Sequence, residues 1–479
     1  MNGQHGHTTS RTRNAVLIVT TIASFLIAFT LSAANVALPE IAFEFGLDPV
    51  ELGWVQASYL LASVVILVPA GRIADIKGRK KVFLAGLLTF ALSSLTFLFP
   101  ISKAVMFVAR IAQGAGGAMI VGTAVAMLTS VFPLKERGKV LGVNTGAVYV
   151  GISMGPFLGG VLTQNCGWRS VFLLNVPLAM LAFFLTVLVV RQEWADALGS
   201  RFDLLGSITY GTSLALVVYG ISLISSSFST NASLFEVAYG AIAPLSLGVI
   251  FMLSFVFLES KSESPVLDVR LFRSNIVFAF CSFAALINYS ATYAITFLLS
   301  LYLQLVKGLG PQMTGLLLVS NPIVQATLSP FAGSLSDKMS PRILSTVGMA
   351  VTALGLVLFA FLDYESSVMF IALNLAFIGL GFSLFSSPNT NALMGSVDRK
   401  SFGVASSILA TMRQLGMIMS TFIAAAIITL YIGPIEISDA PRSSLMSGIS
   451  WSFVVSSTLC FIGVIFSFAG VRRDRPNRD

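Results

Sequence analysis

Residues 71–81 read Gly71-Arg72-Ile73-Ala74-Asp75-Ile76-Lys77-Gly78-Arg79-Lys80-Lys81. This basic segment lies between two apolar runs, residues 52–71 and 80–99. A helix needs roughly 20 mostly apolar residues to cross the hydrocarbon core of a bilayer. The stretch therefore reads as a turn joining two membrane spans. Glycines at 71 and 78 permit close backbone approach and a tight turn. Asp75 can accept hydrogen bonds at a helix terminus or pair with a basic residue. A charge lock of this type can break and re-form as helices rock. Read only as a solvated basic loop, the segment accounts for Lys80 and Lys81 but not for the Gly/Asp/Gly/Arg spacing.

The same pattern extends along the chain. Fourteen runs are expected to span: 15–38, 52–71, 80–99, 104–127, 138–162, 170–190, 204–225, 236–258, 275–303, 313–335, 341–361, 366–387, 402–430 and 446–470. Of the 479 residues, 56% are hydrophobic and 10% charged. Soluble domains carry about 25% charged residues. Loop charge tests the count independently. With the N-terminus inside, the inside segments hold 23 Lys and Arg residues and the outside segments hold four, Lys103, Arg169, Lys307 and Arg442. Dropping one span would invert every later loop and destroy this alternation. Both termini are therefore expected in the cytoplasm, with the chain in the plasma membrane. The first run exceeds the 7–15 residues of a signal-peptide core and reads as a retained span.

Several function classes fall away. The net charge of +8 sits in short loops, where topology explains it better than nucleic acid does. Cys166, Cys281 and Cys460 are too scattered for a disulfide or metal framework, and His5 and His7 lie in the polar N-terminal tail. No cofactor or metal is expected. No Ser/His/Asp or paired-carboxylate constellation falls within the spans, and no nucleotide phosphate loop occurs, so an enzyme is not expected.

A weaker copy of the opening motif follows the tenth span: Gly333-Ser334-Leu335-Ser336-Asp337-Lys338-Met339-Ser340-Pro341-Arg342. Arg110-Ile111-Ala112-Gln113-Gly114-Ala115-Gly116-Gly117 lies in span 4, and Gly151-Ile152-Ser153-Met154-Gly155-Pro156-Phe157-Leu158-Gly159-Gly160 in span 5. Small residues at four-residue spacing let helices pack closely, and Pro156 permits a bend. Together these stretches resemble the signature loops and helix motifs of the major facilitator superfamily. Asn35-Val36-Ala37-Leu38-Pro39, Tyr302-Leu303-Gln304 and Arg413-Gln414-Leu415-Gly416 narrow the resemblance to its fourteen-helix drug/proton antiporters. The resemblance implies an all-α membrane fold of two six-helix bundles, residues 1–190 and 261–479, with two additional helices in 191–260. It also implies alternating access around a central cavity. Gly71, Asp75, Gly78, Arg79, Lys80, Gly333, Asp337 and Arg342 would be gating residues. Gly151, Gly155, Pro156, Gly159 and Gly160 would form a packing seam that doubles as a hinge. The connection 259–274, with mixed charge and Pro265, would join the halves.

One departure bears on mechanism. The family usually carries an aspartate five residues before the asparagine of Asn-Val-Ala-Leu-Pro; here that position is Thr30. All 21 acidic residues fall at loops or rims on this reading. A proton-coupled carrier needs a group that changes protonation in an accessible cavity, and arginine does not. Rim acids are what remain: Glu40 and Asp75, then Asp203 and Glu236.

Arg110 has two readings, a cavity charge that binds an anionic group or couples to a carboxylate, or a packing donor to backbone carbonyls; Gln113, beside it in the same motif, is a further coupling candidate. Arg413 has the same two. In span 9, Tyr289, Thr292, Tyr293 and Thr296 share one helical face beside Asn288. A polar stripe in a membrane helix should face protein or water, not lipid. Span 1 has a similar face through Thr21, Ser24, Ala28, Ser32 and Asn35. Gln56, Tyr59, Asn144, Tyr149, Asn321, Gln325, Asn374 and Asn389 complete the polar inventory for substrate contact. Each also reads as an interhelical hydrogen-bond donor. The function expected is export of amphipathic or drug-like molecules driven by a proton gradient. A proton-independent facilitator or lipid mover, and a non-transporting sensor, are the alternatives. The missing intramembrane carboxylate turns the expectation toward neutral or anionic amphiphiles.

Overall fold

The computed structural model describes residues 10–195, 197, 199, 202–227, 238–261, 271–272, 275–398, 402–433 and 435–472. Among the described residues, 14 helices are long and apolar enough to cross a membrane. They are α1 Thr12–Phe45, α2 Pro49–Lys77, α3 Arg79–Leu98, α4 Lys103–Val131, α5 Lys139–Cys166, α6 Arg169–Val189 and α7 Leu204–Ile224. The rest are α8 Gly240–Lys261, α9 Ile276–Val306, α10 Pro311–Ser336, α11 Pro341–Ala360, α12 Val368–Gly395, α13 Val404–Ile432 and α14 Arg442–Phe468. Glu236 and residues 262–270, the middle of the expected connection, lie outside the described residues.

Lipid is as apolar as a leucine side chain, so the usual inside-out sorting fails and polarity inverts. The α8 side chains Leu247, Val249, Ile250, Leu253 and Phe257 are exposed, while Arg110, Gln113 and Asn288 are fully buried. The pairings show why two bundles form. In the first half α1 packs on α5 and α6, α2 on α4, and α3 on α4 and α6. Each pairing recurs eight helices later: α9 on α13 and α14, α10 on α12, and α11 on α12 and α14. The halves meet along two seams related in the same way, α5 against α10 and α13 against α2. The additional helix α7 leans on α2 and α13, and α8 packs on α7.

Two expectations need correction. Residues 72–77 do not form a loop: α2 continues to Lys77, and the turn shrinks to Gly78, whose φ is 118°. That backbone region suits glycine alone. Glu193 fills the space beside Gly78 and accepts from the Lys80 amide at 2.8 Å, capping the start of α3. Changing Gly78 to alanine is expected to cost about 1–3 kcal/mol, read as a fall in thermal unfolding temperature in detergent. The second correction concerns Pro39 and Glu40, expected just past span 1. Pro39 lies inside the first helix, which runs on to Phe45. Proline removes one helical amide. Close by, Gln304 from the other half donates through Nε2 to the Val36 carbonyl at 3.0 Å, one residue beyond the Asn35 carbonyl whose helical donor Pro39 removes.

Candidate functional site

A cavity of 330 Å³ lies between the halves. Its first-half wall comes from α1 and α5, including Ser32, Asn35, Thr145 and Tyr149. Its second-half wall comes from α9, α10, α12 and α13, including Asn321, Gln325, Phe382 and Arg413. The α9 stripe Tyr289, Thr292, Tyr293 and Thr296 faces the cavity in full. Tyr289 packs edge-on against Phe382, with ring centroids 5.3 Å apart. Gln325 Nε2 donates to Asn321 Oδ1 at 2.6 Å.

Contacts between the halves close one end. Besides the Gln304 bond, the Gln312 amide donates to Gln164 Oε1 at 3.1 Å, and the Ile437 amide donates to the Leu47 carbonyl at 3.1 Å. There α5 and α10 touch backbone to backbone. A Cβ on Gly160 would collide with the Pro311 carbonyl, and one on Gly315 with the Pro156 carbonyl. At the opposite end, nothing lies within 4 Å of where a Cβ would sit on Gly142 or Gly146 of α5. The rest of the expected seam packs inside the first half, on α1. A Cβ on Gly151 would meet the Phe25 carbonyl oxygen at 2.6 Å, and one on Gly155 or Gly159 would meet Ser32 or Ala33. Pro156 also lines the cavity.

The gating residues lie at the open end. Asp75 pairs with Arg79 at 2.8 Å, and Arg79 also donates to Ser130 Oγ at 2.6 Å, all within the first half. In the second copy, Asp337 Oδ1 accepts from Asn391 Nδ2 at 3.1 Å, while Arg342 stands in the first turn of α11. Gly71 faces open space, and Gly333 lies against Ser387. Asp203 accepts from the Gly206 amide at 2.7 Å, a helix-capping contact, with buried Glu259 across the same glycine.

Several expected contact residues sit in helix seams rather than on the cavity wall. Asn144 Nδ2 donates to the Thr20 carbonyl and to Ser24 Oγ, tying α5 to α1. Asn389 Nδ2 donates to the Cys281 carbonyl, tying α12 to α9. Asn288 is buried inside the second half, and Asn374 donates to the Gly355 carbonyl. Tyr59 lies beneath Arg110, with the guanidinium carbon 4.8 Å from the ring centroid.

Arg110 itself is fully buried and takes the packing geometry. Its Nε donates to the Val55 carbonyl at 2.9 Å, Nη1 to Gln113 Oε1 at 2.7 Å and Nη2 to Gln56 Oε1 at 3.1 Å. Gln113 Nε2 passes on to Ser94 Oγ at 2.8 Å, and Gln56 Nε2 to Asn35 Oδ1 at 3.2 Å. Thr30, which stands where the fourteen-helix antiporters usually carry an aspartate, donates to Asn175 Oδ1 at 2.9 Å and is fully buried.

Phe382, Ser386 and Thr145 line the cavity without having been singled out from sequence. Phe382 and Ser386 are four apart on α12, a spacing that could have paired them. One phenylalanine among 38 carries no mark of its own.

Two similar helical halves around a shared central cavity define a multi-pass membrane transporter. The comparisons agree. The family model for the Major Facilitator Superfamily matches residues 20–421 and 281–479. The chain belongs to that superfamily. It is 26% identical over 461 residues to the riboflavin transporter RibZ of Clostridioides difficile, covering 96% of this chain and 97% of that one. It is 32% identical over 412 residues to the multidrug resistance protein Stp of Mycobacterium tuberculosis, covering 85% and 74%. Among solved structures, a bacterial homolog of the human lysosomal transporter Spinster superposes with a TM-score of 0.71 at 16% identity, over 98% of this chain and all of that one.

Proposed function

We propose that the chain is a secondary active exporter of amphipathic or drug-like small molecules, working by alternating access and driven by a proton gradient. The cavity shared by both halves and closed at one end carries this reading. Residues 1–190 and 261–479 are the moving units, and 191–260 supplies the two additional helices. The basic-loop bias assigns the open end and both termini to the cytoplasm of the plasma membrane, which makes this conformation inward-open. Rocking would part the backbone contacts at Gly160 and Gly315 and close the cytoplasmic end around Asp75 and Asp337. The names of the relatives, a riboflavin transporter and a multidrug resistance protein, agree with small organic substrates.

Glu40 is the coupling residue this reading favours. It is half-buried on α1, five residues beyond Asn35, and has no hydrogen-bond or ion-pair partner among the described residues. Asp75 is engaged by Arg79. In proteoliposomes, uptake of a lipophilic dye is expected to depend on an imposed pH gradient, and Glu40→Gln is expected to abolish that dependence. Gradient-driven uptake that survives this change would remove Glu40 from the mechanism.

One observation favours a second reading, transport without protons: among the described residues, no Asp, Glu or His lines the cavity. It predicts equal dye flux with and without the gradient in the unaltered protein.

A further inference from the structure

We infer that the cavity selects aromatic organic anions, with Arg413 as the counter-charge. The inference rests on the cavity being the substrate passage and names the class of substrate it takes.

Charge decides the class. Arg413 is the one ionised side chain among the described residues lining the cavity. Its Nη2 donates to neutral Thr390 Oγ1 at 2.6 Å, its Nε has no hydrogen-bond partner, and its guanidinium carbon lies 5.7 Å from the Tyr289 ring centroid. None of the ion pairs between described residues involves it. A guanidinium carries five N–H donors in a fork that matches a carboxylate or sulfonate. Most of that capacity is unspent here.

A second positive charge stands behind the opposite wall. Arg110 donates to Gln56 and Gln56 donates to Asn35, which lines the cavity. Each bond in this chain points the same way, donor toward the wall, so the amides polarise one another and carry the positive potential forward. Arg110 also lacks an acidic partner among the described residues; its acceptors are a carbonyl and two amides. Screening is weak in such an interior. An incoming cation would meet two uncompensated positive charges, and an incoming anion would be the missing partner of one.

The remaining wall sets the shape. Tyr149, Tyr289, Tyr293 and Phe382 border the cavity. Its 330 Å³ lies at the small end of drug-binding pockets. A planar ring system bearing one anionic group fits both the rings and the charge.

The test uses three probes in proteoliposomes: anilinonaphthalene sulfonate, its uncharged parent N-phenylnaphthylamine, and the cation ethidium. The unaltered protein is expected to prefer the sulfonate. Arg413→Gln should raise KM for the sulfonate at least about tenfold more than KM for the parent. Arg413→Lys, which keeps the charge but not the fork, should fall between. Equal effects on sulfonate and parent, or a preference for ethidium in the unaltered protein, would overturn the inference. If no probe moves, the exporter reading falls by itself. Equilibrium dialysis of the same probes against the purified protein then decides the charge preference separately: loss of sulfonate binding in Arg413→Gln supports it, and unchanged binding refutes it.

Discussion

Replacing Gly315 with leucine will hold the two halves apart at the closed end and cut turnover by about tenfold or more. The Pro156 carbonyl occupies the place a Cβ on Gly315 would need, and the Gly160 backbone lies just beyond it. Backbone cannot swing aside as a flexible side chain would. Overfilling a packed site costs typically about 1–3 kcal/mol. That cost falls only on the state in which α5 and α10 touch. An equilibrium shift of about 1.4 kcal/mol is tenfold in population, so the ratio of molecules open at this end to molecules closed there should rise about tenfold. The readout is modification of Thr296→Cys, on the cavity wall, by an impermeant maleimide added outside, in a Cys166→Ser background that removes the exposed native thiol. Labelling should rise as transport falls. Unchanged labelling with normal turnover would mean that the two glycines are not a gate. Gly142→Leu, at a position facing open space, tests whether leucine on these helices is harmful in itself.

The second large effect is expected at Arg110. Changing it to methionine keeps much of the length but leaves the side-chain oxygens of Gln56 and Gln113 without their donor, while the Val55 carbonyl keeps only its helical bond. An orphaned buried acceptor costs about 1–3 kcal/mol. The two share one network, so the losses will not simply add. A fall in stability of about 2–4 kcal/mol is expected, seen as a lower unfolding temperature in detergent. Lysine should rescue little, because a point charge cannot reach three acceptors in different directions. The experiment also decides between the two sequence readings of this residue. A protein that keeps its unfolding temperature but loses coupled transport would make Arg110 a functional charge instead of a structural one.

The contrast between Arg110 and Arg413 shows where sequence stops being legible. Both are single charges inside apolar runs, and the same rule marks both as unusual. One is sealed among three helices; the other borders the cavity. The difference lies in the rotation of each helix about its axis, which depends on what its other faces pack against. Asn144 and Tyr149 make the same point on α5. Five residues apart, they sit about 140° around the helix from each other, so Asn144 faces α1 while Tyr149 borders the cavity. The α9 stripe was readable because four polar or aromatic residues recur on one face of an otherwise apolar helix. Phe382 was not, because an aromatic side chain looks the same whether it meets lipid, a neighbour or a substrate.

The sequence by itself determined the number of spans, their order and the repeat eight spans apart. These follow from local quantities: a bilayer of fixed thickness demands apolar runs of fixed length, and basic residues mark alternate loops. Tertiary structure alone decided which polar groups satisfy one another and which remain for a ligand. It also decided that the turn after α2 shrinks to Gly78 and that α1 passes through Pro39. The first outcome involves a partner distant in the chain, Glu193 beside Gly78, and the second lies next to another, Gln304 on the Val36 carbonyl. No local pattern encodes a contact whose free energy exists only once the helices have packed.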